Sequence, residues 1–500
     1  MTASRRPLLV AAVYLGTFIA VLDVSIVNVA LPTLQRALET DLAGLQWVVD
    51  SYTLCLSAFM LSAGAISDRY GRKRSWLIGV GVFTLGSAIC AAAPNLAVLL
   101  AGRVVQGVAG ALLIPGALSI LVQAFPDARE RSHVIGGWSS FTALSLIVGP
   151  ILGGTLVDLV GWQSIFLINL PLGVIAMLLG AGSMEETAHP EHAALDPGGQ
   201  LLSIVWLGAL TFALIEAGEA GWSAPLTLAA LTVGIVGLAA FLTVEARARK
   251  PMLPLSFFRD ASFTVTNMAS FTLGFASYSS VFFFSLFFQQ VQGMSPVMAG
   301  LHMSPQFIAQ VLVAPLSGRL TARFGHRAVM IVGYLLFGGA MLAMFQVGAE
   351  TSYACFGALL AVMGIGTGLA IPTTSAAAML SVPRERSGMA SAIVNATRQT
   401  GTAIGIALLG ALMSQRAMSL LTDSLDLAGV AGAAEVARAA VSRHEFAANA
   451  ALGEGGVQAL FVDAYAGGFQ AAMLVAGAVV LCAAVLLLAV RPRAQPAFVQ

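Results

Sequence analysis

Charge is what this chain lacks. Of its 500 residues, 10% are Asp, Glu, Lys or Arg, against roughly 25% in a soluble globular domain. The hydrophobic share is 58% and the mean hydropathy is +0.87. A water-soluble core cannot hold that much apolar surface, because core area grows too slowly with length. Cysteine is scarce as well. Cys55, Cys90, Cys355 and Cys482 all fall inside apolar runs, without disulfide or metal-ligand spacing, and read as packing residues. No nucleophile–base set and no metal-ligand cluster stands out, which argues against an enzyme and against a bound metal or cofactor. The Gly-rich GVAGALLIPG lacks the strand that precedes a phosphate-cradling loop, which excludes a nucleotide-driven pump within this chain. The first apolar run is about 25 residues long and contains an acid, so it fits a membrane span better than a cleavable signal.

What is present is repetition. GAISDRYGRKR begins at Gly64 and GRLTARFGHR at Gly318, 254 residues later. RERS occurs from Arg129 and again from Arg384, and the Gly107/Pro115 pair recurs as Gly364/Pro372, at offsets of 255 and 257. Three ordered matches at one spacing mean two related halves. Each match lies in or beside a long apolar run, so the duplicated unit is a bundle of membrane helices. That is the mark of a secondary transporter with its binding site between the halves.

Fourteen runs are long enough to cross a bilayer. They lie at approximately 8–32, 46–66, 75–93, 96–122, 133–157, 163–181, 200–217, 225–244, 263–290, 297–317, 328–347, 353–374, 393–413 and 465–490. The expected fold is an all-α membrane protein with two six-helix halves and two inserted helices. Residues 1–181 form the first bundle, 182–262 a linker with the two inserted spans, and 263–500 the second bundle, with an external loop at 414–464. With the N-terminus inside, 19 of the 25 basic residues fall in cytoplasmic segments, four outside and two, Arg103 and Arg398, within helices. That bias predicts both termini on the cytoplasmic side of a cell membrane. The loop at 182–199 has Glu185, Glu186, Glu191 and Asp196 but no base, so its side rests on its neighbours. EVARAAVSRHEF, from Glu435, has helical spacing and predicts one or two amphipathic helices capping the outer face.

Ionisable groups inside a membrane are rare and usually functional. Asp23 sits in the middle of the first span, with Asn28 after it and no local neutralising partner. Burial there makes it a candidate proton or cation site. Arg103 begins a run in which Gln106, Gly107 and Gly110 share a face. Small residues on that face let another helix approach. A buried arginine beside a carboxylate would hold it ionised, and proton loading would release the pair. The alternative is an arginine snorkelling to the surface. Gly149, Pro150, Gly153 and Gly154 make a GxxxG pair around a proline, read as helix packing or as a dry seam against proton leak. Asp50, at the start of the second run, and Glu216 are either wet helix ends or attractants for a cationic substrate. Phe282–Phe284, Phe287 and Phe288 beside Gln289 and Gln290 line a cavity, face lipid or pack. Arg398 is a pathway residue or a boundary anchor; Asp158 reads as a turn residue. In the loop around 64–74, Gly64 lets two helices turn closely, while Asp68 among Arg69, Arg72, Lys73 and Arg74 pairs with a helix end. The same bases also serve topology.

These strings, in this order, resemble the major facilitator superfamily, and more narrowly its fourteen-helix drug–proton antiporters of the EmrB/QacA type. GAISDRYGRKR is similar to the superfamily loop signature. LDVSIVNVALP, RVVQGVAGALLIP and GPILGG resemble the antiporters' motifs of the first, fourth and fifth helices, and WQSIFLINLPLG the start of the sixth. The resemblance covers the whole chain. It implies proton-driven export of amphipathic drugs or an antibiotic by alternating access. It assigns proton or substrate coupling to Asp23 and proton coupling to Arg103. It makes Gly149, Pro150, Gly153 and Gly154 the antiporter seam, and Gly64, Asp68, Arg69, Gly71 and Arg72 the gating loop. With Asn28 and Gln106 beside the coupling pair, Asp50, Glu216, Gln289 and Arg398 stand as candidates for the substrate cavity. Ala322 replaces the acid that would match Asp68, so the loop latch is expected to be stronger in the first half. A proton-coupled transporter of one metabolite or nutrient is the rival reading. Expected partners are membrane lipid, a small amphipathic substrate and protons, not nucleic acid. A monomer is expected, with accessory export proteins compatible, and the energy source is the proton gradient.

Overall fold

Lipid offers backbone N–H and C=O groups no partners, so each apolar run must satisfy its own by coiling into a helix. The computed structural model describes residues 6–188, 196–248, 251–382, 386–446 and 456–489. Arg5, Arg249, Lys250, Arg384, Arg491, Arg493 and Glu191 lie outside them, as does half of the second RERS string.

Fourteen helices among the described residues are long and apolar enough to span a membrane. They are α1 (Arg6–Ala37), α2 (Leu42–Tyr70), α3 (Arg72–Ala91), α4 (Leu96–Ala124), α5 (Arg129–Leu159), α6 (Ser164–Ser183), α7 (Pro197–Ala220), α8 (Pro225–Arg247), α9 (Ala261–Val291), α10 (Pro296–Phe324), α11 (His326–Gln346), α12 (Tyr353–Leu380), α13 (Gly388–Leu427) and, last in the chain, α15 (Gly456–Ala489). The short α14 (Ala433–Arg443) lies between the last two. Every predicted span corresponds to one of these helices. The ends differ where hydropathy is a poor guide. Asp41 caps α2 by accepting from Gly44 N at 2.8 Å, so α2 starts a turn before its apolar run. α13 runs to Leu427, and α15 starts at Gly456, so much of the expected loop at 414–464 is continuous helix. One amphipathic cap helix, α14, fills the described part of the rest. It turns Ala433, Ala437, Ala440 and Val441 inward.

In the first half α3 packs on α4, and α1 on α5 and α6; in the second, α10 and α11 pack on α12, and α13 on α15. The halves meet where α5 lies against α10, α2 against α13 and α1 against the middle of α9. α7 and α8 pack on each other, and α7 bridges the halves by touching both α2 and α13. Gln200 Nε2 donates to Ala58 O at 3.0 Å on one side, and Gln415 Nε2 to Ala217 O at 2.6 Å on the other. Large apolar side chains such as Leu178, Ile235, Val236 and Leu312 stay exposed along the spans. In a membrane helix this is the lipid face. Cys355 and Cys482 are exposed there too, which corrects their reading as packing residues.

Contacts at the helix ends sort the loops. Arg6 pairs with Glu130 at 3.2 Å, which puts the starts of α1 and α5 together. Glu186 accepts from Lys73 N and Arg74 N, both at 3.0 Å, which puts the 182–199 loop beside the turn between α2 and α3. That is the base-rich end of the bundle. At the opposite, base-poor end the two halves share one hydrophobic core, running from Leu22–Leu34 of α1 through Phe282–Phe288 of α9 to Phe356 and Phe469. At the base-rich end the first half has a core of its own, around Trp76, Phe83 and Leu113, in which Ala396 alone among the described residues comes from the second half. Packing therefore closes the molecule at the base-poor end.

Candidate functional site

A cluster of buried polar side chains in the first half converges on Asp23. It is 0% exposed, and Arg103 is 1% exposed. Arg103 Nη1 donates to Asp23 Oδ2. The same nitrogen donates to Gln106 Oε1 at 2.9 Å, and Arg103 Nε to Val48 O at 2.9 Å. Gln106 Nε2 donates to Asp23 Oδ1 at 3.0 Å and to Ser87 Oγ at 2.8 Å. Asn169 Nδ2 donates to Asp23 Oδ1 at 3.3 Å and to Ser87 Oγ at 3.2 Å. The Arg103 guanidinium also stands over the Tyr52 ring, 4.5 Å from its centroid. Five helices, α1, α2, α3, α4 and α6, meet at one ion pair.

Sequence spacing explains part of this. Arg103 and Gln106 lie one turn apart and share a face. Beyond them Gly107 abuts the Tyr52 carbonyl and Gly110 the Tyr52 ring, which lets α2 lie close enough for Val48 O to reach Arg103. The guanidinium does not snorkel. Its charge is satisfied inside the bundle, as a buried ion must be. Asn28 is not part of the cluster, a correction to the expected grouping. Its Nδ2 donates to Val24 O within α1 at 2.7 Å, and its carbonyl accepts from Ser285 of α9 at 2.6 Å. Ser87, Asn169 and Tyr52 were not singled out beforehand. Asn169 was within WQSIFLINLPLG, where an amide in an apolar helix was the available signal.

The glycine motif of α5 faces two ways. A Cβ on Gly149 would overlap Ser25, and one on Gly153 would overlap Ile26, so both seat α5 on α1. Gly154 instead meets the Pro296 carbonyl and Val297 of α10, and Gly300 meets the Pro150 carbonyl. Val297 N donates to Asp158 Oδ2 at 3.4 Å, so Asp158, beside the turn that ends α5, also reaches across to the start of α10. The α2–α13 face adds Gln46 Nε2 to Ile406 O at 2.8 Å, and Ser57 Oγ to Ala396 O at 3.1 Å.

The loop at 64–74 corrects one expectation. A Cβ at Gly64 would meet nothing; the turn depends on Gly71, whose φ is +103°. Gly325, its counterpart in the second half, has φ +82°. Asp68 pairs with Arg72 at 2.7 Å, while Arg69 leans on Tyr70. Where Ala322 replaces the acid, no ion pair forms among the described residues.

The four residues offered for a substrate cavity do not form one constellation. Asp50 is not at a helix end: α2 begins eight residues earlier, and Asp50 is 0% exposed with neither carboxylate oxygen hydrogen-bonded among the described residues. Glu216 is half-buried on α7. Gln289 is bonded to Val29 O at 3.0 Å and Ser285 Oγ at 2.9 Å. Arg398 is half-buried on α13, bonded to Asn395 and 5.9 Å from the Tyr278 ring centroid. The phenylalanines of α9 are neither lipid-facing nor open to a cavity. Phe282, Phe283, Phe284, Phe287 and Phe288 are all 0% exposed, and Phe287 packs on Phe469 at 4.5 Å between centroids.

This architecture has known relatives. The chain is 38% identical over 415 residues to the multidrug resistance protein Stp of Mycobacterium tuberculosis, covering 83% of this chain and 77% of that protein. It is 32% identical over 494 residues to the tetracenomycin C resistance and export protein of Streptomyces glaucescens, covering 97% and 91%. Its fold matches a bacterial homologue of the human lysosomal transporter Spinster, solved in an inward-facing and occupied conformation, with a TM-score of 0.64 at 20% identity over 98% and 97% of the two chains. The model of the Major Facilitator Superfamily matches residues 13–405. A duplicated helical bundle with a buried ion pair in one half and glycine-lined contact between the halves is thus a multi-pass membrane protein that belongs to the major facilitator superfamily.

Proposed function

We propose that the protein is a proton-coupled antiporter that exports amphipathic drugs or an antibiotic across the cytoplasmic membrane by alternating access, with both termini in the cytoplasm. The observation that carries this reading is the buried Asp23–Arg103 pair and its amide ring of Gln106 and Asn169. Removing one member of such a pair strands the other, at a cost of roughly 3–5 kcal/mol. A proton on Asp23 does this reversibly. It takes the countercharge from Arg103, whose Nε still holds Val48 of α2, and so loosens α1 from α2 and α4 together.

The relatives named for drug resistance and export support amphipathic cargo, and the positive-inside bias supports the orientation. In that orientation the base-poor end is the outer one, and the shared core closes the outside. Gly154 and Gly300 form the part of that closure that must part to release cargo. Gly71, Asp68 and Arg72 belong to the opposite, cytoplasmic end. There Glu186 holds the start of α3, and rocking of the halves would load that contact. The proton gradient is the energy source, and neither a cofactor nor nucleic acid enters the cycle. The protein works as a monomer in lipid.

The test is Asp23→Asn in inverted membrane vesicles, with a drug panel measured with and without an uncoupler. Wild-type uptake should collapse with uncoupler. The variant should insert normally and show no pH-driven uptake. Wild-type rates in the variant would refute the role of Asp23.

A further inference from the structure

Among the described residues, the second half holds a cation, Arg398, that no carboxylate pairs with. Between residues 261 and 413 the sequence has two acids, Glu350 and Glu385. Glu350 is in the turn before α12, and Glu385 lies outside the described residues. α15 adds one acid, Asp463, which is exposed. In this setting Arg398 projects from α13. Its Nη2 donates to Asn395 Oδ1, and its Nε is buried with no hydrogen-bond partner. No salt bridge reaches it among the described residues. Arg103 also has an amide and a tyrosine ring beside it, but differs in its acid. That guanidinium has a carboxylate, an amide and a backbone carbonyl.

The surroundings of Arg398 are built. Gly401 and Gly405 let α13 touch the backbone of α9 at Phe271 and Phe275, and Gly274 sits against the Arg398 carbonyl. There α9 widens into a π turn at Gly274–Tyr278, and Tyr278 is carried to the guanidinium. Turns of this kind occur frequently at functional sites. A half-buried cation with no countercharge is unfavourable, and a rigid guanidinium fork fits a carboxylate better than any other side chain does.

We propose that Arg398, with Tyr278 and Asn395, binds the acidic group of the exported compound, a carboxylate or ionised phenol on an apolar body. This rests on the export reading and narrows its substrate class from amphipathic compounds in general to amphipathic anions. Moving an anion out against an entering proton transfers charge in the direction that an inside-negative potential favours.

The experiment uses the full chain in inverted vesicles and three probes of one shape: 2-naphthoate, neutral 2-naphthamide and the cation 2-naphthylmethylammonium. Each is competed against export of a fluorescent drug that the wild type moves. Naphthoate should compete best. Arg398→Gln should weaken naphthoate by about tenfold or more, as expected for a lost charge-assisted contact, and leave naphthamide within about twofold. Arg398→Lys, which keeps the charge but not the fork, should recover part of the naphthoate effect. Membrane level and monodispersity in detergent check folding of both variants. Equal loss of naphthoate and naphthamide would mark Arg398 as structural and overturn the proposal. So would stronger competition by the ammonium probe in the wild type. A wild type that exports no drug at all would sink the export reading itself, whereas export with no preference for the anion sinks only this inference.

Discussion

Lys73 and Arg327 hold matching places in the two halves and perform the same task. Lys73 Nζ donates to Ala181 O at 2.8 Å, at the end of α6. Arg327 Nε donates to Leu487 O at 2.8 Å, at the end of α15, and its Nη2 reaches Leu488 O at 2.5 Å. Each base sits two residues after a glycine with positive φ, Gly71 or Gly325, and ties the start of one helix to the unsatisfied carbonyls of another. The sequence repeat is therefore a repeat of contacts, pairing α3 and α6 with α11 and α15. Arg327→Ala should cost about 1 kcal/mol more than Lys73→Ala, because two carbonyls are left rather than one. Thermal unfolding of the purified variants in detergent checks the order, and equal midpoints would contradict it.

The contact between α5 and α10 has no room for a methyl group. Gly154→Ala or Gly300→Ala would press a Cβ into opposing backbone, which costs roughly 1–3 kcal/mol in the closed conformation. The balance should shift toward an open seam. A cysteine placed at Val297 should then react faster with a membrane-impermeant maleimide, and drug export should fall. Unchanged labelling in both variants would show that the seam has slack.

Asp50 is fully buried and accepts no hydrogen bond from the described residues. Burying a polar group without a partner costs roughly 1–3 kcal/mol. Asp50→Leu, similar in volume, should raise the thermal midpoint. If the acid serves the cycle, the same variant loses transport, the usual pattern of stability held back for function. A variant that is both less stable and fully active would overturn this account.

His444 links the α14 cap to pH. It follows α14 in a left-handed conformation, φ +58°, and packs on Phe446 and Phe461. Burial, helped by nearby Arg36, pushes its imidazole below the ordinary value of about 6.5. The unfolded segment therefore takes up a proton first as pH falls. Stability from the neutral ring is complete above about 6.5 and is lost as pH falls toward the folded value. Hydrogen exchange along Ala433–Arg443, corrected for its intrinsic pH dependence, should quicken on acidification in the wild type and not in His444→Phe. The same response in both would exclude His444 as the cause.

Some of the site was legible before any fold was known. An acid in mid-membrane and an arginine one turn from a glutamine are unusual enough in an apolar chain to mark themselves, because lipid makes each one expensive. Ser87 was not legible, because a serine in a membrane helix is common, and Asn169 was marked only as an amide in an apolar helix. The importance of each comes from what another helix brings to it. The two-sided use of GPILGG was hidden for the same reason. Gly153 and Gly154 are adjacent in sequence yet touch different halves of the molecule. The phenylalanine run of α9 carried no mark of which way it faced, since core and lipid are equally apolar.

By itself, the sequence determined the number of spans, their grouping by a 254–257-residue repeat, the base-rich end, the amphipathic cap and the family. These follow from composition and order along one chain, where hydropathy and charge act locally. Tertiary structure decided the partners: Arg103 on Asp23, Gly154 on α10 and, among the described residues, Arg398 without an acid and Asp50 without a donor. Hydrophobicity drives helices into the membrane but does not choose their neighbours there. Close packing and the pairing of scarce polar groups make that choice.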